Sequence, residues 1–502
     1  MTKKSNFKKK LKATVTTMTT AGILLTSVSP SYAEEQQDKK GTHIEQTQKT
    51  DELTDAEVQQ ESTQKDAIKD KLHTQNSNTL EIPHSKKQSE LATSERDVTT
   101  FEEFQAAIAD NTVRVINIMQ SIKFKSNVYI ATEKEVIING NADKGVHIAA
   151  GEFSIFGENT KGSLSLNNAN ISMDIKNSKH IGFLNHINNV KIKDVNYTGK
   201  NAFVSQALKF LADGNNEIET EGGHILFGDY PNTSFTVRPG AKYKGKMGHR
   251  LEIGGAKKQS NASINIENNA ELDLESSDNV LLLDGESSNF NVGENAVVTL
   301  TGKRVQNFDW SAVEVARSNV VLNQNSKFNI INSGGDAKSN GTALSVYHEG
   351  KVLVKAGAEF NVIDRIKSLG SVVSGESTNP RGEIIVDHSG SLNISGNAPA
   401  LISGNLYVKM DAPKSYEFTN HQSGGRIWGH VQDFWPNLSF WHFSMNIWEN
   451  TQGFEGEPKH SWKDVDFFNI RNIMGHSSEP EILKVDFGKI GKISGIGSSP
   501  KV

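Results

Sequence analysis

The sequence predicts an all-β protein, a parallel β-helix of three short strands per rung, and three observations predict it. One motif, apolar-x-apolar-x-x-(Asn, Gly or Ser)-(Ala, Gly or Ser)-x-apolar-x-apolar, recurs from Phe235, Ile264, Phe290, Val320, Val352 and Ile384, at steps of 29, 26, 30, 32 and 32 residues. Only the first copy departs, with Gly245 in its last apolar place. Inside each copy the period-two alternation puts the apolar side chains on one face, and a corner rich in Asn, Gly and Ala parts two short strands. A third apolar piece comes after most copies, at Val280 to Leu283, Val313 to Val315, Leu344 to Val346, Val372-Val373 and Leu401-Ile402. Three strands in each turn, with every turn pairing only with its neighbours, describe a solenoid. The LxxLxLxxN signature of leucine-rich repeats and the Trp-Asp punctuation of propeller blades are both missing.

Composition bounds the rest. The 502 residues are 35% hydrophobic, enough to bury a long core. Lys and Arg total 54 against 59 Asp and Glu, a formal net charge of −5, which leaves no electrostatic footprint for nucleic acid or anionic membrane. The chain has no Cys, which removes disulfides, thiolate zinc sites and Cys nucleophiles and leaves His and carboxylates as the available metal ligands.

From the N-terminus, the basic run MTKKSNFKKKLK precedes a short apolar stretch and the small-residue site Ser31-Tyr32-Ala33, so residues 1–33 read as a signal peptide cleaved before Glu34. The apolar stretch is diluted by Thr and falls short of the ~20 apolar residues of a membrane span. The expected location is therefore secreted or cell-surface. Residues 34–97 are rich in Gln, Lys, Glu, Ser and Thr and read as a disordered polar spacer, unable to offset its ordering entropy by burial. At the other end no LPxTG-type sorting signal stands, and Ser498 to Val502 reads as a turn-like domain junction.

At Thr99-Thr100 a hydroxyl cap precedes Phe101, Glu102, Glu103, Phe104, Ala107 and Ile108, the pattern of a short capped helix with acids in its first turn. Placed before the strands, it would shield the first open rung of the solenoid. Residues 98–410 are assigned to the β-helix and 411–502 to an aromatic-rich C-terminal cap. That last region holds Trp428, Trp435, Trp441, Trp448 and Trp462, five of the six Trp in the chain. Exposed aromatic rings suit sugar faces and protein hot spots, and buried ones suit a cover for the last rung; the two roles can coexist. Trp428, Trp435, Trp441 and Trp448 are the candidate ligand-binding residues, with WPNLSFW read as a loop that presents Trp435 and Trp441 outward.

The fold also houses polysaccharide lyases and hydrolases, so catalytic residues are sought one by one. Val386-Asp387-His388 resembles part of a pectate-lyase motif, but it falls on the corner where the sibling repeats carry ordinary turn residues. Of the polygalacturonase set only Arg365-Ile366-Lys367 is present, without the paired acids that hydrolysis needs. No catalytic residue, metal ligand or cofactor is expected.

The TTFEEFQAAIADNTVRVINI opening, the IINGN turn and units such as SINIENNAELDL resemble the pectate-lyase-like adhesive domain family of Gram-positive secreted and surface proteins. The resemblance implies a right-handed β-helix and a non-catalytic adhesive role. Its partner would be an extracellular glycan or a host or matrix protein. A polysaccharide-active enzyme and a passive rod that spaces other surface domains are the alternatives.

Overall fold

The computed structural model of the chain describes residues 94–498 except 131–132, 158–161, 175–181, 223–224, 227–231, 254–260, 304–310, 335–341, 368, 376–380, 430–433, 451–453 and 472–473. The expected signal peptide and nearly all of the expected spacer lie outside these residues. The first strand, Ser94–Val98, starts inside the stretch read as spacer, because Val98 is fully buried and the strand pairs in parallel with Val113–Ile118.

One helix, α1 (Phe101–Ala109), interrupts the strands near the start. Its Thr100 cap forms a reciprocal box: the Glu103 amide donates to Thr100 Oγ1 at 3.2 Å, and Glu103 Oε2 accepts from the Thr100 amide at 3.2 Å. Phe101 and Phe104 pack their rings 5.2 and 5.5 Å from Phe124. The helix exit is held by a residue that the sequence pattern does not single out. Lys134 is 3% exposed, and its Nζ donates to the carbonyls of Ile108 and Asp110 at 2.7 Å and of Ala107 at 3.2 Å. A cation there answers the orphan carbonyls and the negative end of the helix dipole together.

Beyond α1 the described residues are mostly strands, with short 3-10 turns at Ala142–Lys144, Pro480–Lys484 and Phe487–Lys489, and parallel pairing dominates one long sheet. The pairing runs in three ladders. The first carries the opening strand of each repeat, through Ser234–Val237, Ser263–Ile266, residues 289–292 and 319–322, Lys351–Val354, Gly382–Val386 and Leu406–Asp411 to residues 437–441. The second carries the strand after the corner, from Lys242–Met247 through Glu271–Ser276, Val297–Lys303, Lys327–Gly334, Glu359–Lys367 and Ser391–Asn397 to Ser415–Asn420. The third carries the short apolar pieces, ending with Leu344–Tyr347, Ser371–Ser374, Ala400–Ser403 and Arg426–Gly429. Ile264, Ile266, Leu272 and Leu274 sit in register with Phe290, Val292, Val298 and Leu300, and all eight are at most 1% exposed. Burying such side chains contributes about 1.5–3 kcal/mol each.

The corner between the first two ladders has a fixed chemistry. Gly240, Asn269, Asn295, Asn325, Gly357 and Ser389 all hold φ between 56° and 73°, the left-handed region. The next residue, Ala241, Ala270, Ala296, Ser326, Ala358 or Gly390, is buried and closes a β-turn by donating its amide to the carbonyl three residues back, at 2.9 to 3.2 Å. Gly and Asn take left-handed φ at least cost, and a small residue next in line fits against the core.

The aromatic region departs from the loop read into WPNLSFW. Asn437–Glu449 is one strand, with Leu438, Phe440, Phe443, Met445 and Ile447 buried. The alternation is hidden because its outward positions are aromatic too. Here parallel pairing gives way to antiparallel: His460–Arg471 pairs with this strand, and Ile490–Gly495 pairs with both Ser415–Asn420 and residues 446–449.

The corner and the core each carry an expectation about stability. Asn295→Val places a β-branched residue at φ 56° and should lower stability by about 1–2 kcal/mol in urea unfolding, while Asn295→Gly should leave the midpoint nearly unchanged. The core expectation concerns Asp364, which is 4% exposed and register-paired with the buried Asn332. Burial raises its carboxyl to about 7, with bonds from the Ile366 amide at 3.0 Å and Asn332 Nδ2 at 3.4 Å offsetting part of the rise. A folded-state value above the unfolded one gives stability that is complete below the ordinary carboxyl range and is lost as pH climbs towards 7, up to about 4 kcal/mol. Thermal melts of the wild type should therefore fall between about pH 4.5 and pH 8 more steeply than those of Asp364→Asn; equal slopes would mean that the buried carboxyl is ionised throughout.

Candidate functional site

The third ladder lines a cavity of about 570 Å³. Its inward column is apolar: Val313, Leu344, Val373 and Ile402 succeed one another in register and are buried. Its outward column, one residue further on, runs Glu314, Ser345, Ser374, Ser403 and Gly429. Beside it Ser371, Ala400 and Arg426 form a second register column. Side chains this small leave a trough of about 570 Å³ along successive turns, walled in part by Ser311, Thr342, Ser371, Ser374, Ser403 and Arg426.

The trough's hydroxyls are positioned by one another. Ser311 Oγ bonds to Thr342 Oγ1 and Ser345 Oγ, Thr342 Oγ1 lies 3.2 Å from Ser345 Oγ, and Ser403 Oγ donates to Ser371 Oγ at 2.8 Å. Each hydroxyl can donate and accept, so the column offers hydrogen bonds turn after turn at the strand spacing of about 4.8 Å. Glu314 stands at one end, its carboxylate accepting from the Ser311 amide at 3.3 Å and from the Tyr347 hydroxyl at 3.0 Å.

Arg426 stands at the other end and lines both the trough and a second cavity of about 350 Å³. That pocket is walled by Trp428, Trp435, Leu483, Val485, Asp486 and Phe487. Asp486 is already answered, accepting from Lys489 Nζ at 3.0 Å and from the Gly488 amide at 3.2 Å, and the Lys489 bond holds its carboxyl below the usual range. Arg426 is exposed, and no carboxylate lies within ion-pair distance of it among the described residues.

The four candidate Trp residues do not form one platform. Trp428 continues the inward column after Ile402, is 5% exposed and packs its ring 4.8 Å from Phe487, so it is a pocket wall and not an exposed surface. Trp435 is half-buried in the same pocket. Trp441 and Trp448 lie elsewhere on the strand Asn437–Glu449, both half-buried, with Lys409 Nζ and Lys492 Nζ each 5.1 Å from their ring centroids. The indole N–H of Trp448 donates to the Gly456 carbonyl at 2.8 Å.

The serine column and Arg426 were not singled out by sequence reasoning. Aligning the third apolar piece of each repeat and reading its polar neighbours would have found Ser345, Ser374 and Ser403. Asp387 and His388 are exposed on a corner between the first two ladders, away from the trough. Among the described residues no group of three or more His, Asp or Glu gathers in a way that could hold a metal ion.

Two solved structures show a loose likeness to the chain. The L. reuteri 100-23 SRRP is 12% identical over 70% of this chain and 99% of its own, with a TM-score of 0.32. The L. reuteri 53608 SRRP is 14% identical over 63% of this chain and 96% of its own, with a TM-score of 0.27. Such superpositions carry no residue from one chain to the other. No curated protein matches the sequence. Residues 95–218, which hold α1 and the early turns of the ladders and stop short of the trough, match the profile of the pectate lyase-like adhesive domain.

Proposed function

We propose that this chain is a non-catalytic adhesive module, secreted to the surface of a Gram-positive cell, which holds an extracellular glycan in the trough between Ser311 and Arg426. The observation that carries the reading is the outward column Ser345, Ser374 and Ser403, repeated in register beside Arg426, which has no carboxylate partner among the described residues. A polyhydroxylated chain laid along the ladders meets a hydroxyl at each turn, and Trp435 and Trp428 supply an apolar end wall. A host or matrix protein that carries such a glycan would be held by the same groups. The adhesive family of residues 95–218 supports the reading. In this reading the three ladders wind as a right-handed β-helix of three strands per rung. The helix α1 and the antiparallel aromatic strands cover its two ends, and the part of residues 34–97 ahead of the strand Ser94–Val98 is the spacer that sets it off from the leader.

The test is a glycan array on the full chain, with titration of the best ligand afterwards. Arg426→Ala and Ser374→Gln should each weaken binding by roughly ten- to a hundredfold, the loss expected when a charged or hydroxyl contact is removed, without changing the thermal midpoint. Lys244→Ala, on the ion-paired flank of the second ladder, should bind as the wild type does. Binding unchanged in both trough variants would place the ligand elsewhere, and release of unsaturated uronides from polygalacturonate with calcium would replace adhesion by catalysis.

A further inference from the structure

The last strands of the first ladder carry a second arrangement, independent of the trough. Asp411, Trp441 and Phe467 stand in register across three neighbouring strands. The Trp441 and Phe467 rings lie 5.3 Å apart at 46°, and both side chains are half-exposed. In a regular strand the residue after Trp441 would point inward. Instead His442 holds φ 48°, the left-handed region, and the register of its pairing shifts just beyond it, between Phe443 and Met445. The irregularity leaves Trp441 and His442 both half-exposed and returns Phe443 to the core. His442 Nδ1 then lies 2.9 Å from Asp411 Oδ1, on a carboxylate that is 53% exposed. The bend is pinned from the chain's end, where the Ser498 amide donates to the His442 carbonyl at 2.8 Å. A non-glycine residue held at positive φ is strained, and such positions cluster at ligand sites. Here the departure brings a carboxylate, an imidazole and two aromatic rings to one outward patch.

We propose that this patch is a second saccharide site, selective for a neutral pyranose chain. Trp441 and Phe467 offer tilted ring surfaces to the apolar C–H face of a sugar, and Asp411, steadied by His442, accepts from two neighbouring hydroxyls. The ammonium of Lys409 sits over the Trp441 ring, 5.1 Å from its centroid, and the exposed Asp411 carboxylate repels an acidic sugar. This is the opposite balance from Arg426 at the trough.

The experiment titrates the full chain with cellohexaose, xylohexaose and mannohexaose by calorimetry and by Trp fluorescence. At least one should bind at millimolar concentration or better, with affinity reduced at least roughly tenfold in Trp441→Ala and several-fold in Asp411→Asn, and unchanged in Trp435→Ala and Arg426→Ala. If Trp441→Ala does not fold, Asp411→Asn decides, since that side chain is exposed. Four results would overturn the site: none of the three sugars binds, Asp411→Asn binds as the wild type does, the loss appears in Arg426→Ala instead, or only immobilised collagen is bound and that binding is lost in Trp441→Ala. The third leaves the trough reading intact, and a loss confined to Trp441→Ala and Asp411→Asn leaves this site standing whether or not the trough binds.

Discussion

The structure depends on a turn that must be made the same way every time. At six successive corners a residue at positive φ turns the chain from the first ladder into the second, and the amide of the next residue is bonded back across the turn. Because the side-chain period in a strand is two, a corner longer or shorter by one residue would send the whole next strand's apolar set to the solvent. The register Ile264 with Phe290 and Leu272 with Val298 therefore rests on Asn269 and Asn295 as much as on the apolar side chains themselves. The rest of each repeat, the small buried residue and the inward columns, is free to be regular because the corner is.

A regular interior leaves the outward positions for chemistry, and each ladder uses them differently. The second ladder spends them on ion pairs between turns, Lys244 to Glu217 and Lys246 to Glu219 at 3.0 Å, and on amides such as Asn361 to Asn329 at 2.9 Å and Asn393 to Asn361 at 2.7 Å. Exposed pairs of that kind contribute little each and mainly keep neighbouring turns aligned. The third ladder gives its outward positions to small hydroxyl side chains, and what it gains is space. The first ladder ends in aromatic residues under lysines. The same backbone thus presents a neutralised flank, a trough and, where its pairing turns antiparallel, an aromatic patch.

The parts of this fold that repeat were legible in the sequence, and the parts that occur once were not. The six corners, the inward residues of each copy and the capped helix before them all announce themselves by spacing, and the family resemblance rests on those same motifs. Lys134 carries no such mark: a lone Lys before a strand gives no hint that it reaches the carbonyls at the end of α1. Trp428 looked like its neighbours in sequence yet takes the place after Ile402 in the core, since the third ladder's register, not the local composition, decides which way it points. The serine column was hidden for the related reason that its members are about thirty residues apart and belong to the least regular strand of each repeat. His442 stayed invisible because a bulge is a property of the pairing between strands.

The C-terminal strand Ile490–Gly495 lies against two strands at once, Ser415–Asn420 and residues 446–449, and the residues just after it continue the contact, with Ile496 accepting from the Ser444 amide and Ser498 donating to His442. If the module is adhesive, as proposed, this has a mechanical meaning. Tension that enters the chain after Ser498 is taken up first by these antiparallel bonds, and it reaches the parallel ladders only through them. For a load entering there, the grip of this strand on residues 415–420 and 446–449 sets how much pull the ladders are spared.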